Sequence, residues 1–252
     1  MHKIITRGWL WLSVVFTPLA AAQEVTIYLI RHGQTWFNQT GQVQGWSDSP
    51  LTAAGTAQAV AVGKALSGVS FRGAFSSDAG RARATALAIL AENQRPPVPA
   101  LTESADLREW GYGGYEGRDD ADLWTPLYRS VNVPFAKDWS TWEAFTQKMT
   151  DEQMADAIAR NDPTGSAEPY QAITARLKRG LLAVIQQTQA RGGGNVLVVS
   201  HGSAIPTLLT LFVPDAYRGE AIGNGSLTIL NYRDGQYSLG TVGDTHYLQH
   251  SQ

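Results

Sequence analysis

Two short apolar runs, far apart in the chain, each end in a histidine followed by glycine. The first is Val25-Thr26-Ile27-Tyr28-Leu29-Ile30, which leads into Arg31-His32-Gly33. The second is Asn195-Val196-Leu197-Val198-Val199-Ser200, which leads into His201-Gly202. Both have strand length, and their β-branched content suits strands buried on both faces. In open α/β sheets, ligands gather outside the carboxyl ends of the strands. If the two runs lie parallel in one sheet, both imidazoles meet at one pocket with the Arg31 guanidinium beside them.

The rest of the chain reads as strands alternating with helices. Leu51-Thr52-Ala53-Ala54-Gly55 opens a helix with Thr52 as its N-cap, and Ala53 to Leu66 carries apolar residues at helical spacing. Phe71 to Ser77 reads as a second strand, and Arg81 to Glu92 as a helix stopped before Pro96-Pro97. Leu101 to Leu107 is expected to hold a short edge strand. Glu168 to Ala190 reads as a long helix feeding the second histidine-bearing strand, with Ala204 to Phe212 as the helix after it. Ser226 to Tyr232 and Gln236 to Val242 read as a terminal hairpin around Arg233-Asp234-Gly235. The expected fold class is α/β: a mostly parallel sheet flanked by helices on both faces.

Residues 118–169 behave differently, with Trp124, Trp139, Trp142, several acids and four prolines. They read as a helical insertion on the sheet domain, with its main helix within Asp138 to Arg160. The tryptophans are expected as core residues of that insertion, the alternative being a wall of the pocket.

At 252 residues, 43% hydrophobic and 17% charged, the chain suits one domain that buries its core without staples. A formal charge of −2 gives no electrostatic reason to expect nucleic acid, so any anion site must be a local concentration of positive groups. The absence of cysteine excludes disulfides and a thiolate nucleophile. His2, Lys3 and Arg7 precede the mostly apolar stretch Trp9 to Ala20, and Ala20-Ala21-Ala22 supplies small residues for cleavage. Residues 1–22 therefore read as an export signal removed before Gln23, leaving a periplasmic or secreted domain over residues 23–252. The stretch is short for a membrane span and is interrupted by Pro18; the alternative is an uncleaved anchor.

The motifs taken together resemble the histidine phosphatase superfamily, of phosphoglycerate-mutase-like fold. The resemblance runs through Arg31-His32-Gly33-Gln34-Thr35 with Asn38, Gln44-Gly45, and Asp48-Ser49-Pro50-Leu51-Thr52 with Gly55. It continues through Ser76-Ser77-Asp78, Arg81-Ala82, Thr85-Ala86, and Leu107-Arg108-Glu109 with Gly111, Gly114, Glu116 and Gly117. Ser200-His201-Gly202 and Asn224-Gly225-Ser226 complete a collinear series over most of residues 25–232.

The chemistry fits the residue types. A phosphate monoester dianion repels anionic nucleophiles, so catalysis is mostly positioning and charge neutralisation. A neutral imidazole attacks without like-charge repulsion and forms a phosphohistidine that water then cleaves. Geometry alone leaves either histidine as nucleophile; the resemblance implies His32, with His201 donating to the phosphoryl oxygens. Arg31 and Arg81 are the expected guanidinium clamp. Arg83 competes with Arg81, but a helix turns about 200° over two residues, so both cannot face the site; the resemblance selects Arg81. Glu109 is the expected general acid for the leaving alcohol, with Glu116 as runner-up. Asn38 and Gly202 are expected on the phosphate side of the pocket.

The chain departs from the family pattern in two places. Gln34 stands where glutamate is common, and Ala204-Ile205-Pro206 follows Ser203 where many relatives place an arginine. The arginine- and lysine-rich insertion of the true mutases is not matched. The reading is therefore a metal-independent phosphomonoesterase acting on a small-molecule phosphate ester without a cofactor. The alternatives are mutase-type phosphoryl transfer and a non-catalytic phosphate- or phosphoprotein-binding module. Neither His32 nor His201 lies in a metal-ligand cluster such as His-Glu-x-x-His, so no metal site is expected.

Overall fold

The structure, a computed structural model, describes residues 23–250. The export signal expected over residues 1–22 lies outside them.

Six strands form one mixed sheet. They are β1 (Val25–Arg31), β2 (Phe71–Ser76), β3 (Leu101–Glu103), β4 (Gly194–Ser200), β5 (Leu227–Arg233) and β6 (Gln236–Leu239), in the order β3-β2-β4-β1-β5-β6. The first four in that order run parallel, and the β5–β6 hairpin closes the sheet antiparallel to β1. Helices α1 (Trp36–Thr40), α2 (Ala53–Ala65), α3 (Gly80–Ala91), α4 (Asp120–Ser130), α5 (Trp142–Thr146), α6 (Asp151–Asn161), α7 (Tyr170–Ala190) and α8 (Ala204–Phe212) complete the fold. This is the expected class, a mostly parallel sheet covered on both faces.

The two histidine-bearing strands are central and adjacent, and their residues alternate between two cores. Val25, Ile27 and Leu29 of β1, with Val196 and Val198 of β4, face α7 and α8 through Leu177, Leu181, Ile205 and Leu208. Ile30, Leu197 and Val199 face α2 and α3 through Val62, Ala82, Ala86 and Ile89. Each fully buried aliphatic side chain of this kind contributes about 1.5–3 kcal/mol, so a charge at Val198 would break the sheet at its centre.

Segment 118–169 packs into the same apolar cluster as α7, through Leu123, Leu127, Phe145, Met154 and Ile158. Trp124 is buried and meets Trp139, Trp142 and Phe145 edge to face, while Phe145 stacks on Tyr128 at 4.0 Å. Of the tryptophans expected in the core, Trp124 is buried there, whereas Trp139 and Trp142 pack on it from the surface with more than a third of their area exposed.

Several boundaries differ from expectation. The single helix expected within Asp138 to Arg160 is two helices, α5 and α6. The break is local chemistry: Thr150 caps α6 by accepting from Gln153 N, and the Gln153 side chain accepts from Thr150 N in return. The long helix begins at Tyr170 with Pro169 at its N-cap, leaving Glu168 outside it. Strand β3 stops at Glu103, because Ser104 caps a 3₁₀ turn over Ala105–Leu107. Strand β6 ends at Leu239, before Gly240. Among the described residues, no helix is long and apolar enough to cross a membrane.

Candidate active site

The parallel register of β1 and β4 builds the site. Arg31 lies opposite Ser200, so the next residue of each strand is a histidine, and His32 N–H donates to Ser200 O at 3.0 Å. The imidazoles of His32 and His201 stand with ring centroids 5.2 Å apart and planes inclined at 60°. His32 Nδ1 lies 2.8 Å from Gly33 O. A carbonyl only accepts, so Nδ1 carries the proton and Nε2 keeps its lone pair. The second ring is pinned at 2.6 Å between His201 Nε2 and Ser77 Oγ, which also accepts from Ala79 N. Among the described residues, the other ring nitrogen, His201 Nδ1, is buried and has no partner. Burial first, and then the Arg81 guanidinium, hold both imidazoles well below the ordinary histidine range.

Two guanidinium groups sit beside these rings in different ways. Arg31 Nη1 donates to Ile222 O at 2.7 Å, while its Nε is buried without a partner among the described residues. Gly202 lies against that guanidinium, where a Cβ would stand 3.0–3.3 Å from its atoms. Arg81 is only 1% exposed, whereas the Arg83 side chain is half exposed and pairs with Glu103, so the helical geometry selects Arg81. Arg81 Nη1 donates to Ser47 O and Asp48 Oδ1, both at 2.9 Å, and Nη2 donates to Gly45 O at 2.7 Å. With the Gln44 amide oriented so that its nitrogen donates to Thr35 Oγ1, its oxygen accepts from Arg81 Nε at 3.2 Å. The donors expected to grip an anion are thus held by the 44–48 loop. In this geometry Arg81 contributes charge, and Arg31 offers the open donor.

Glu109 is 5% exposed. Its Oε1 accepts from Trp110 N at 3.0 Å and Ala204 N at 2.8 Å, and Oε2 accepts from Ser203 N at 2.8 Å. The carboxyl thus sits on the amino end of α8, directly after His201-Gly202. Burial pushes it above the ordinary glutamate range, against the opposing pull of these N–H groups and of Arg81 and Arg31. One lone pair of Oε2 remains available for a proton. Glu116 is differently engaged: it accepts from the backbone N–H groups of Gly45, Trp46, Ser47 and Tyr112. That fixes the loop whose carbonyls hold Arg81, and it makes Glu116 a backbone tie.

Asn38 is exposed, and its Oδ1 caps α1 at Thr35 N and accepts from Asn224 Nδ2. Asn224 Nδ2 also donates to His32 O at 3.0 Å, and Gly225 N donates to Arg31 O at the same distance. Sequence reasoning missed Ser77, Asp48 and Asn224 as site residues, although all three lie inside the motifs that carried the resemblance. Gln34, the departure in the first motif, accepts from Thr52 Oγ1 and stitches the His32 loop to the start of α2. The open concave surfaces between α4 and α6 and between α2 and the C-terminal turn lie apart from all these groups. Among the described residues, no cluster of three or more His, Cys, Asp or Glu could hold a metal ion.

Comparison with known proteins agrees with this geometry. The chain matches the histidine phosphatase superfamily (branch 1) over residues 27–161 and 136–245. It is 28% identical over 230 residues to a metal-independent phosphoserine phosphatase of Arabidopsis thaliana, covering 89% of this chain and 84% of that one. It is 29% identical over 230 residues to a Salmonella choleraesuis protein named "Probable phosphoglycerate mutase", covering 88% of this chain and 94% of that one. The crystal structure of a phosphoglycerate mutase from Bacillus anthracis superposes with a TM-score of 0.81 at 32% identity, covering 92% of this chain and 98% of that one. With paired imidazoles at the ends of adjacent parallel strands and a match spanning most of its length, the chain belongs to the histidine phosphatase superfamily and is an enzyme of the histidine phosphatase type.

Proposed function

We propose that this protein is a metal-independent phosphomonoesterase working through a phosphohistidine on His32. The observation that carries this reading is the tautomer of His32. Its Nδ1 proton is tied to Gly33 O, leaving Nε2 as a neutral nucleophile facing His201. The substrate phosphoryl group lies between the two rings, with Arg31 Nε and the unpartnered His201 Nδ1 donating to it in this reading, and Arg81 supplying the second positive charge. Nε2 attacks phosphorus in line, the P–O bond to the alcohol breaks, and the proton on Glu109 passes to the leaving oxygen. Glu109, now a carboxylate, takes a proton from water as that water attacks phosphorus. The N–P bond breaks, and inorganic phosphate leaves with His32 neutral again.

Hydrolysis is favoured over mutase chemistry by the insertion, whose centre is an aromatic core and not an arginine- and lysine-rich cradle. The resemblance to the Bacillus anthracis mutase keeps intermolecular phosphoryl transfer as the second reading. The substrate is a small phosphate ester. On the composition of residues 1–22, the domain works outside the cytosol, and fractionation of cells producing the full chain tests that placement.

A panel of phosphate monoesters, 3-phosphoglycerate included, assayed with chelator present and with His32→Ala as control, tests the activity. Phosphate release that survives the chelator and falls by several orders of magnitude in the variant supports the reading. Isomerisation of 3-phosphoglycerate without phosphate release, or dependence on added metal, overturns it.

A further inference from the structure

The segment that carries Glu109 is held from behind by a buried ion pair. Arg176 of α7 and Glu168, the residue before its N-cap, have side chains only 9% and 12% exposed and meet at 2.6 Å through Nη2 and Oε2. Arg176 has five N–H donors, and all five are used. Nε and one Nη2 hydrogen go to Glu168, Nη1 donates to Asp106 O and Arg108 O, and the other Nη2 hydrogen goes to Glu109 O at 3.0 Å. Glu168 continues the grip: its Oε2 accepts from Gly111 N at 2.9 Å, and its own N–H donates to Gly111 O at 2.9 Å. Trp46 Nε1 donates to the same Glu109 carbonyl at 3.1 Å.

A buried ion pair is weak evidence of stabilisation, since apolar residues of similar volume often do as well. Apolar residues could not fix the direction of the carbonyls of 106, 108 and 109. Those carbonyls set the peptide from which the Glu109 side chain reaches forward to Ser203 N and Ala204 N. We propose that Arg176 and Glu168 are positioning residues for proton transfer, holding the Glu109 peptide so that its carboxyl meets the leaving-group oxygen. The proposal rests on the reading of Glu109 as the proton donor, and it adds a requirement that neither His32 nor the phosphate pocket imposes.

The distinguishing readout is the leaving group. A nitrophenolate departs without help, whereas an alkoxide needs the proton, so a misplaced acid penalises alkyl phosphates selectively. kcat/KM, which reports the phosphorylation step, is measured for p-nitrophenyl phosphate and glycerol phosphate in Glu109→Gln, Glu168→Gln, Arg176→Lys and Trp46→Phe. Glu168→Gln and Arg176→Lys are expected to lower kcat/KM for the alkyl ester roughly 10–100-fold, and for the aryl ester less than about 3-fold. Trp46→Phe removes one donor and keeps an aromatic ring on a half-exposed side chain. It gives the same selectivity at roughly 3–10-fold.

If Glu109→Gln slows both esters equally, Glu109 is not the donor and the reading beneath the proposal fails. If Glu109→Gln is selective while the other three variants slow both esters alike, or slow neither, the ion pair does not position the acid and the proposal is overturned. Should Glu168→Gln and Arg176→Lys fail to fold, Trp46→Phe decides by the same criterion.

Discussion

Gly202→Ala is a clean probe of the cationic clamp. Gly202 is not among the glycines with left-handed backbone, so alanine there carries no conformational strain. Its Cβ would stand 3.0 Å from Arg31 Cζ, 3.1 Å from Nε and 3.3 Å from Nη1. Contacts this tight require the guanidinium to give by a few tenths of an ångström. It cannot retreat freely, because Nη1 is anchored on Ile222 O at 2.7 Å; the plane must tilt, and the unpaired Nε turns away from the pocket. Overpacking of this kind costs about 1–3 kcal/mol, which a domain of this size survives. A misplacement of 1 Å costs about 100-fold in rate, so a few tenths of that predict roughly a 4-fold fall in kcat/KM. Inhibition by inorganic phosphate should weaken in parallel, because the same donor holds product and substrate. Steady-state kinetics with phosphate as competitive inhibitor, beside a thermal melt, measure both. A lowered melting temperature with unchanged kcat/KM and unchanged phosphate inhibition would refute the assignment of Arg31 as the open donor.

Ser77→Ala removes the only partner of a ring nitrogen in an imidazole with no exposed surface, a loss of about 1–3 kcal/mol. It should lower the melting temperature, release the His201 tautomer and reduce kcat roughly 10-fold; nitrogen-15 NMR of the ring reads the tautomer, and an unchanged spectrum with unchanged kcat argues against a fixing role. Both histidines titrate below their unfolded value near 6.5. Below that pH the unfolded chain therefore binds more protons than the folded one, and stability falls. The slope is at most about 1.4 kcal/mol per pH unit for each ring. Asp120 and Asp151, raised to about 6 by burial, act with the opposite sign below that pH. Denaturant melts between pH 8 and about 6 in an Asp120→Asn, Asp151→Asn, Glu109→Gln background remove the opposing raised carboxyls and read the histidine effect; a flat profile there, or stability rising toward acid, would contradict the burial of neutral rings.

The sheet was legible because its centre is simple. Strands buried on both faces read as unbroken apolar runs, and a His-Gly at the end of each left one parallel arrangement that brings the rings together. Helical geometry showed that Arg81 and Arg83 could not both face the site, and the family resemblance, not the geometry, selected Arg81. What stayed hidden depends on contacts that local pattern does not carry. Glu116 reads as a second catalytic candidate, and only the folded chain brings four backbone N–H groups, three of them about seventy residues upstream, onto its carboxylate. Arg176 looks like any cation on a long helix until α7 packs behind Glu109. The engagement of Arg81 by Gly45, Ser47 and Asp48 was hidden for the same reason, since a loop's carbonyls have no sequence signature. The split of the insertion helix was readable in principle, because Thr150 and Gln153 form a capping box, but the apolar spacing on either side masked it.

The claim on which everything else turns is that His32 Nε2 becomes covalently phosphorylated. Rapid acid-free quenching during turnover of a radiolabelled phosphate ester, followed by peptide mapping, tests it directly. The account predicts an acid-labile, alkali-stable label on the peptide bearing His32, absent in His32→Ala and accumulating in wild type before phosphate release reaches steady state. A label on His201, or turnover in which no phosphorylated protein forms, would contradict it.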